Sequence, residues 1–290
     1  MGAEESRSPT RLALRRFRRN RRALVSAALL GLLGLATWVV PWASPHDYRD
    51  QDFTYTLGRP NSTYWMGTDA LGRDLFSRVF RGGRVSFAVA LLATTVSVLV
   101  GTAYGAASAV AGGRTDAFMM RVVDVLYGLP HILLIIVIMA LVESRSLAWV
   151  FLVIGLFGWL TLARIVRGQV LSLREREFVE AARALGAGMP AIIVRHMVPN
   201  VLGPVIVYAT LSVPGAMLTE SFLSFLGLGV SEPETSWGVL ISEGAKALGT
   251  ERNLWWLVTF PGAALALTLY CLNSIGDGLR DAFDVQQRPS

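Results

Sequence analysis

Residues 23–40 read ALVSAALLGLLGLATWVV, eighteen positions without a charge, and the five before them, 18–22, read RRNRR. A helix crossing a bilayer needs about 20 mostly apolar residues, so this run predicts a span with a basic collar. Arg15-Arg16-Phe17 loosely echoes a twin-arginine signal, and Trp42-Ala43-Ser44 a cleavage site. The run is longer than a signal-peptide core and comparable runs follow it, so it is read as an uncleaved first span. Further spans are expected at about Phe87–Ala111, Val125–Val142, Leu147–Ala163, Val201–Leu223 and Leu254–Ile275. The predicted fold class is an all-α integral membrane protein with about six transmembrane helices.

Composition agrees. Apolar residues make up 53% of the 290 and mean hydropathy is +0.48, while only 17% are charged, against about 25% in soluble proteins. Arginine supplies 26 of the 27 basic residues and Lys246 is the only lysine. These charges gather between apolar blocks, which argues against a nucleic-acid footprint. With the amino terminus inside, eighteen arginines fall in inner segments: eight before Ala23, then Arg114, Arg121, Arg164, Arg167, Arg174, Arg176, Arg183, Arg195, Arg280 and Arg288. Nine basic residues remain outside, mostly alternating with acids such as Asp47, Asp50, Asp52, Asp69 and Asp74. The excess predicts cytoplasmic termini.

This partitions the chain into a basic cytoplasmic tail (1–22), a first span (23–43), an extracytoplasmic segment (44–84), a core (85–281) and a short tail (282–290). The core contains a cytoplasmic loop at 164–200 and an outer segment at 227–253. In that outer segment Pro233, Trp237 and the apolar residues after it suit a short helix resting at the membrane interface.

The loop carries the most information. Glu177-Phe178-Val179-Glu180-Ala181-Ala182-Arg183-Ala184-Leu185 is strongly helix-forming, with charge on one side and Phe178, Ala181, Ala182 and Leu185 on another. Gly186 and Gly188 end such a helix and Pro190 suits the first turn of the next, expected at Ala191–Val198 and presenting Ile192, Ile193 and Arg195. Pro199 is then expected to redirect the chain into the fifth span. On spacing alone, a solvated charged linker stands equally open.

Glu180, Ala181 and Ala182, then three residues and Gly186, then Pro199 thirteen beyond that glycine, resemble the signature loop of permease subunits in binding-protein-dependent ABC importers. Two positions depart from the pattern: His196 replaces the usual aliphatic residue, and Val198 a common leucine. The dipeptide/oligopeptide permease C branch is similar elsewhere: Arg18-Arg19-Asn20-Arg21-Arg22-Ala23-Leu24, Gly67-Thr68-Asp69 with Gly72-Arg73-Asp74, Leu223-Ser224-Phe225-Leu226-Gly227-Leu228-Gly229, and Gly276-Asp277-Gly278-Leu279-Arg280-Asp281.

The resemblance implies a type I importer permease in a prokaryotic plasma membrane, moving short peptides, with nickel complexes or another small solute as alternatives. It implies a heterodimer with a second homologous permease, two ATP-binding subunits or one fused ATPase, and an extracytoplasmic peptide-binding protein, among membrane lipids and without nucleic acid. ATP and Mg would sit on those partners. A phosphate-cradling loop needs Gly-x4-Gly-Lys-Ser/Thr, and Lys246 follows Ala245, so hydrolysis is expected on another polypeptide and no cofactor in this chain. With His46 and His196 on opposite sides of the membrane, no metal site is expected, and no catalytic residue is expected either. Glu180, Ala181, Ala182, Arg183, Gly186, Arg195 and Pro199 would couple to the ATPase.

Other polar groups near spans are weighed singly, since membrane ionisable residues are costly. Glu220, twenty residues past Asn200, falls near the outer mouth. There, with Ser224, it would either attract a peptide's amino group or be a carboxylate satisfied by Ser221, Ser224 or the following loop. Asp124, Asn273 and Asp277 read as helix-end or inter-subunit hydrogen-bonding groups, and His131 as a polar partner of a break at Pro130. Gly101 and Gly105 form a small face compatible with a partner permease. A stand-alone secondary transporter is the remaining rival. A membrane enzyme lacks any paired catalytic set, and the amino-terminal arginines suit headgroups better than nucleic acid.

Overall fold

The computed structural model describes residues 14–142, 146–186, 188–249 and 253–283, without the side chains of Arg183, Met189, Pro190, Val194 and His196. Arg7, Arg11 and Arg288 therefore lie outside the described residues. Among those described, regular structure is helical. Five helices are long and apolar enough to cross a membrane, or six when one bent pair is counted as a single span.

The first, α1 (Arg21–Ala43), starts where the Asn20 side chain accepts from the Ala23 N–H at 3.2 Å. Its flank is mostly exposed, with Leu32, Leu35 and Trp42 more than 60% accessible, as befits a helix meeting lipid on most sides. Ala23 packs against Gly278 in the last helix, where an added Cβ would come within 2.6 Å of it.

The central helix, α2 (Leu75–Ala111), begins twelve residues before the expected Phe87. Hydropathy hides that start behind Arg78, Arg81 and Arg84, but each guanidinium has a partner. Arg78 binds Asp69 and Glu243, Arg81 binds Glu234 at 2.6 Å, and Arg84 lies 4.3 Å over the Trp38 ring. Asp74 caps the helix by accepting from the Ser77 N–H at 2.9 Å.

The expected third span is two helices, α3 (Gly113–Gly128) and α4 (His131–Leu141), bent by 81° at Leu129-Pro130. Proline pushes its predecessor out of helical dihedrals, and Leu129 is extended at φ −85°, ψ 144°. Next comes α5 (Leu147–Arg174), which runs eleven residues past the expected Ala163. Val166 and Val170 continue its buried stripe, while Arg167 binds Asp116 through two bonds of 2.5 and 2.6 Å. The inter-span loop is correspondingly shorter. Gly101 and Gly105 face α5 within this chain: a Cβ on Gly105 would sit 2.3 Å from the Ala163 carbonyl oxygen.

After a hairpin, α6 (Glu177–Ala184) and α7 (Met189–Ile192), the chain enters α8 (Val198–Phe225). The short helix expected in the outer segment is α9 (Trp237–Leu248). It is wedged among α2, α8 and the last helix, α10 (Trp256–Phe283), with Trp237 fully buried and its indole N–H donating to the Val79 carbonyl at 2.8 Å. An indole buries a large apolar area if its N–H finds a partner, so an apolar face that suits lipid serves equally well as core. Two ends result: one carries residues 44–74 and α9, the other the hairpin.

Candidate functional site

The hairpin is built from opposed faces. Arg176 N–H turns back to the Leu173 carbonyl at 3.1 Å after α5, and α6 starts at once. Val179 is fully buried and Ala182 packs beside it, in a cluster with Ala106 and Ala109 of α2, Leu162, Val166 and Val170 of α5, and Val201 and Val205 of α8. The stripe one residue over, Phe178, Ala181 and Leu185, faces outward, Leu185 at 88% exposure. The sequence reading grouped Ala182 with that outer stripe and expected Ile192 to be presented; both pack inward, and Ile192 is fully buried. A small residue and a β-branched one fill the shallow space between helix ends better than Phe178.

Gly186 makes the corner with φ +82°, a conformation that side chains with a Cβ resist. An added Cβ there meets nothing within 4 Å, so the requirement is conformational rather than steric. Glu180, Ala181, Gly186, Arg195 and Pro199 are all exposed. The side chains of Arg183 and His196 lie outside the described residues.

Pro199 does not redirect the chain. Residues Ile193–Met197 form a π-helical turn closed by Val198 N–H to the Ile193 carbonyl, and α8 continues from it with Pro199 in its first turn. In a regular helix the ring would strike the carbonyl four residues back; a wider turn relieves that clash. The hairpin is thus joined to α8 by unbroken helix.

At the opposite end Glu220 is fully buried. Ser224 Oγ donates to it at 2.8 Å, Ser86 Oγ at 3.3 Å and Ser221 Oγ at 3.4 Å. Ser224 in turn accepts from Ser236 at 3.3 Å, so α2, α8 and α9 meet in one polar knot. Neither Glu220 nor Ser224 is on the wall of the cavity of about 490 Å³ between α2, the α3/α4 break, α5 and α8, which His131 does line. Asp124 accepts from Arg164 at 2.9 Å within the chain, whereas Asn273 and Asp277 are exposed. Missed by sequence reasoning was the network Asp69–Arg73–Arg78–Glu232–Glu243, for which the densely charged Gly72-Arg73-Asp74 region was the available signal. Arg73 Nε lies 2.7 Å from Asp69 and its Nη1 2.9 Å from Glu232. No group of three or more His, Cys, Asp or Glu suited to a metal occurs among the described residues.

The profile of the binding-protein-dependent transport system inner membrane component matches residues 93–288, covering the break, the hairpin and the helices they join. The chain belongs to this permease family. A second profile, the N-terminal transmembrane domain of oligopeptide transport permease C, matches residues 8–60. An oligopeptide transport system permease protein OppC of Haemophilus influenzae is 46% identical over 286 residues, covering 98% of this chain and 91% of the relative. The Escherichia coli K12 OppC is 45% identical over 98% of this chain and 93% of its own length. The Bacillus subtilis dipeptide transport system permease protein DppC is 40% identical over 98% and 88%. As a permease of such systems, the chain is a multi-pass membrane subunit of a larger complex and is not itself the catalytic component.

Proposed function

We propose that this chain is one permease subunit of an ATP-driven importer of short peptides, and that its hairpin is the docking point for an ATPase subunit. The observation that carries the docking assignment is the division of the hairpin's faces. Val179, Ala182, Ile192 and Met197 are locked into the bundle, while Ala181 and Leu185, with Phe178 at their edge, form an apolar stripe on the exposed side beside Glu180. An exposed apolar patch rimmed by charge is the common mark of a protein interface. The peptide assignment is supported by relatives named as oligopeptide and dipeptide permeases.

The residues divide the work. Ala181 permits close approach and Leu185 and Phe178 supply buried area to the partner. Glu180, Arg183 and Arg195 offer charge to complement it, Ala182 holds the helix down, and Gly186 sets the corner. Pro199 shapes the π-turn through which displacement of the hairpin passes to α8. ATP and Mg belong to the partner ATPases, two subunits or one fused chain; a second permease and an extracytoplasmic peptide-binding protein complete the importer. The arginine distribution supports a plasma-membrane orientation with the hairpin and both termini in the cytoplasm. This chain holds no phosphate-binding Lys motif, so it transmits work rather than generating it.

Purifying the chain from its native membrane tests the docking. ATP-hydrolysing subunits are expected to accompany it, and Leu185→Arg is expected to lose them while the second permease stays bound. Retention of the ATPase by Leu185→Arg would remove the assignment.

A further inference from the structure

A cavity of about 490 Å³ lies between α2, the α3/α4 break, α5 and α8. Its wall carries the hydroxyls of Thr94, Ser97, Thr161, Ser212 and Thr219, and no Asp, Glu, Lys or Arg. Three of these hydroxyls spend their proton on carbonyls: Ser97 on Gly155 at 2.9 Å, Ser212 on Tyr208 at 3.0 Å and Thr219 on Gly215 at 2.9 Å. Their oxygens remain as acceptors. The Thr94 hydroxyl is buried and has no hydrogen-bond partner among the described residues, so it keeps both a proton and lone pairs to offer. Tyr127 and His131 flank the Pro130 break on the same wall, with apolar Ile135, Ile154 and Phe157 between the polar groups.

Fixed charge stands outside this chamber. Toward the hairpin, Arg164 stacks 4.3 Å over the Tyr127 ring and binds Asp124. At the other end Arg73, Arg78 and Arg81 are neutralised by their carboxylates. What the wall offers is uncharged hydroxyl acceptors and the free Thr94 hydroxyl, interleaved with apolar groups; these can hydrogen-bond the N–H and C=O of a polypeptide backbone, at a volume typical of small-ligand sites.

We propose that this cavity is the chain's own wall of the solute path, and that it receives peptide backbone amides rather than charged termini or side chains. The inference rests on the importer reading and adds to it which residues meet the solute and why this wall sets no charge preference of its own.

Gly215 gives access to the test. It lines the cavity, and a Cβ built on it meets nothing within 4 Å, so Gly215→Cys leaves the packing alone. The full complex carrying Gly215→Cys is reconstituted in proteoliposomes and treated after assembly with methanethiosulfonates bearing a benzyl, an ammonium or a sulfonate group. The wild-type complex, whose Cys271 is buried, controls for other thiols, and Leu218→Cys, exposed on α8 away from the cavity, controls for labelling elsewhere. Uptake is followed with trialanine and its central-lysine and central-glutamate counterparts.

The benzyl adduct is expected to lower uptake of all three peptides. The ammonium and sulfonate adducts are expected to shift the lysine-to-glutamate uptake ratio in opposite directions, each by about fivefold or more, fivefold being the scale of one charge contact at about 4 Å in water. A labelled Gly215→Cys complex with normal uptake and an unchanged ratio overturns the proposal, as does a thiol no reagent reaches. A wild-type complex that imports none of the three peptides instead overturns the importer reading itself.

Discussion

Arg78, in the first turn of α2, donates two hydrogen bonds to Glu243 on α9, at 2.7 and 3.1 Å. The same guanidinium reaches Asp69, so one cation with its side chain only 3% exposed ties a carboxylate nine residues before it to another 165 residues after it. Removing one partner of a buried pair costs about 3–5 kcal/mol because the other is stranded. Arg73 stays on Asp69 at 2.7 Å, so Arg78→Leu is expected at the lower end, about 3 kcal/mol. Thermal unfolding in detergent checks this. A midpoint no lower than that of exposed Arg59→Ala would show that the network does not hold the end together.

The break at Pro130 sets a distance. Spin labels at Phe118 and Leu141, both more than two-thirds exposed, would lie about 35 Å apart on one straight helix of 1.5 Å rise and about 25 Å apart across an 81° bend. The shorter distance is expected in the native chain. In Pro130→Ala, which restores a donor and removes the ring, a longer population is expected to appear. A native distance near 35 Å would rule out the bend.

The polar knot at Glu220 predicts a difference between two substitutions. Glu220→Gln keeps the volume and can still accept from Ser224 Oγ, so wild-type uptake kinetics are expected. Glu220→Ala leaves Ser86, Ser221 and Ser224 facing a void and is expected to lower the yield of assembled complex. Each lost buried hydrogen bond is worth about 0.5–1.5 kcal/mol. Slowed uptake by Glu220→Gln at unchanged stability would place Glu220 on the solute path.

In the 44–74 segment, the Thr54 hydroxyl and N–H hold the Asp52 carboxyl below its ordinary value. Burial, helped by Asp52, raises the Tyr64 phenol. A depressed carboxyl contributes order above its unfolded pKa and loses it as pH falls through the lower folded value. A raised phenol contributes below its unfolded pKa and loses it as pH rises through the higher one. Phenolate absorbance is expected to show Tyr64 titrating late, and Asp52→Asn to return only part of that shift, since burial remains. Full return would make the carboxylate the main cause.

Much of this was written in the chain. Apolar runs placed the spans, Pro130 flagged the break, and Gly186 marked the corner. Spans were misjudged where tertiary partners neutralise arginines: Arg78, Arg81 and Arg84 concealed the start of α2, and Arg164 and Arg167 the last turns of α5. The orientation of α6 was illegible because Phe178–Ala181–Leu185 and Val179–Ala182 are both apolar stripes at helical spacing, and only the shape of the ends of α2, α5 and α8 selects the second. Pro199 misled for a similar reason, since a π-turn absorbs its ring without a change of direction. The cavity wall could not be read at all, because its hydroxyls come from three helices whose relative rotation no local pattern records.

The account turns on work delivered at the hairpin, and proteoliposome uptake measures that directly. With binding protein on the opposite side, trialanine is expected to accumulate only when ATP is supplied on the hairpin side, and Leu185→Arg is expected to abolish accumulation. Accumulation without ATP, or undiminished by Leu185→Arg, would contradict it.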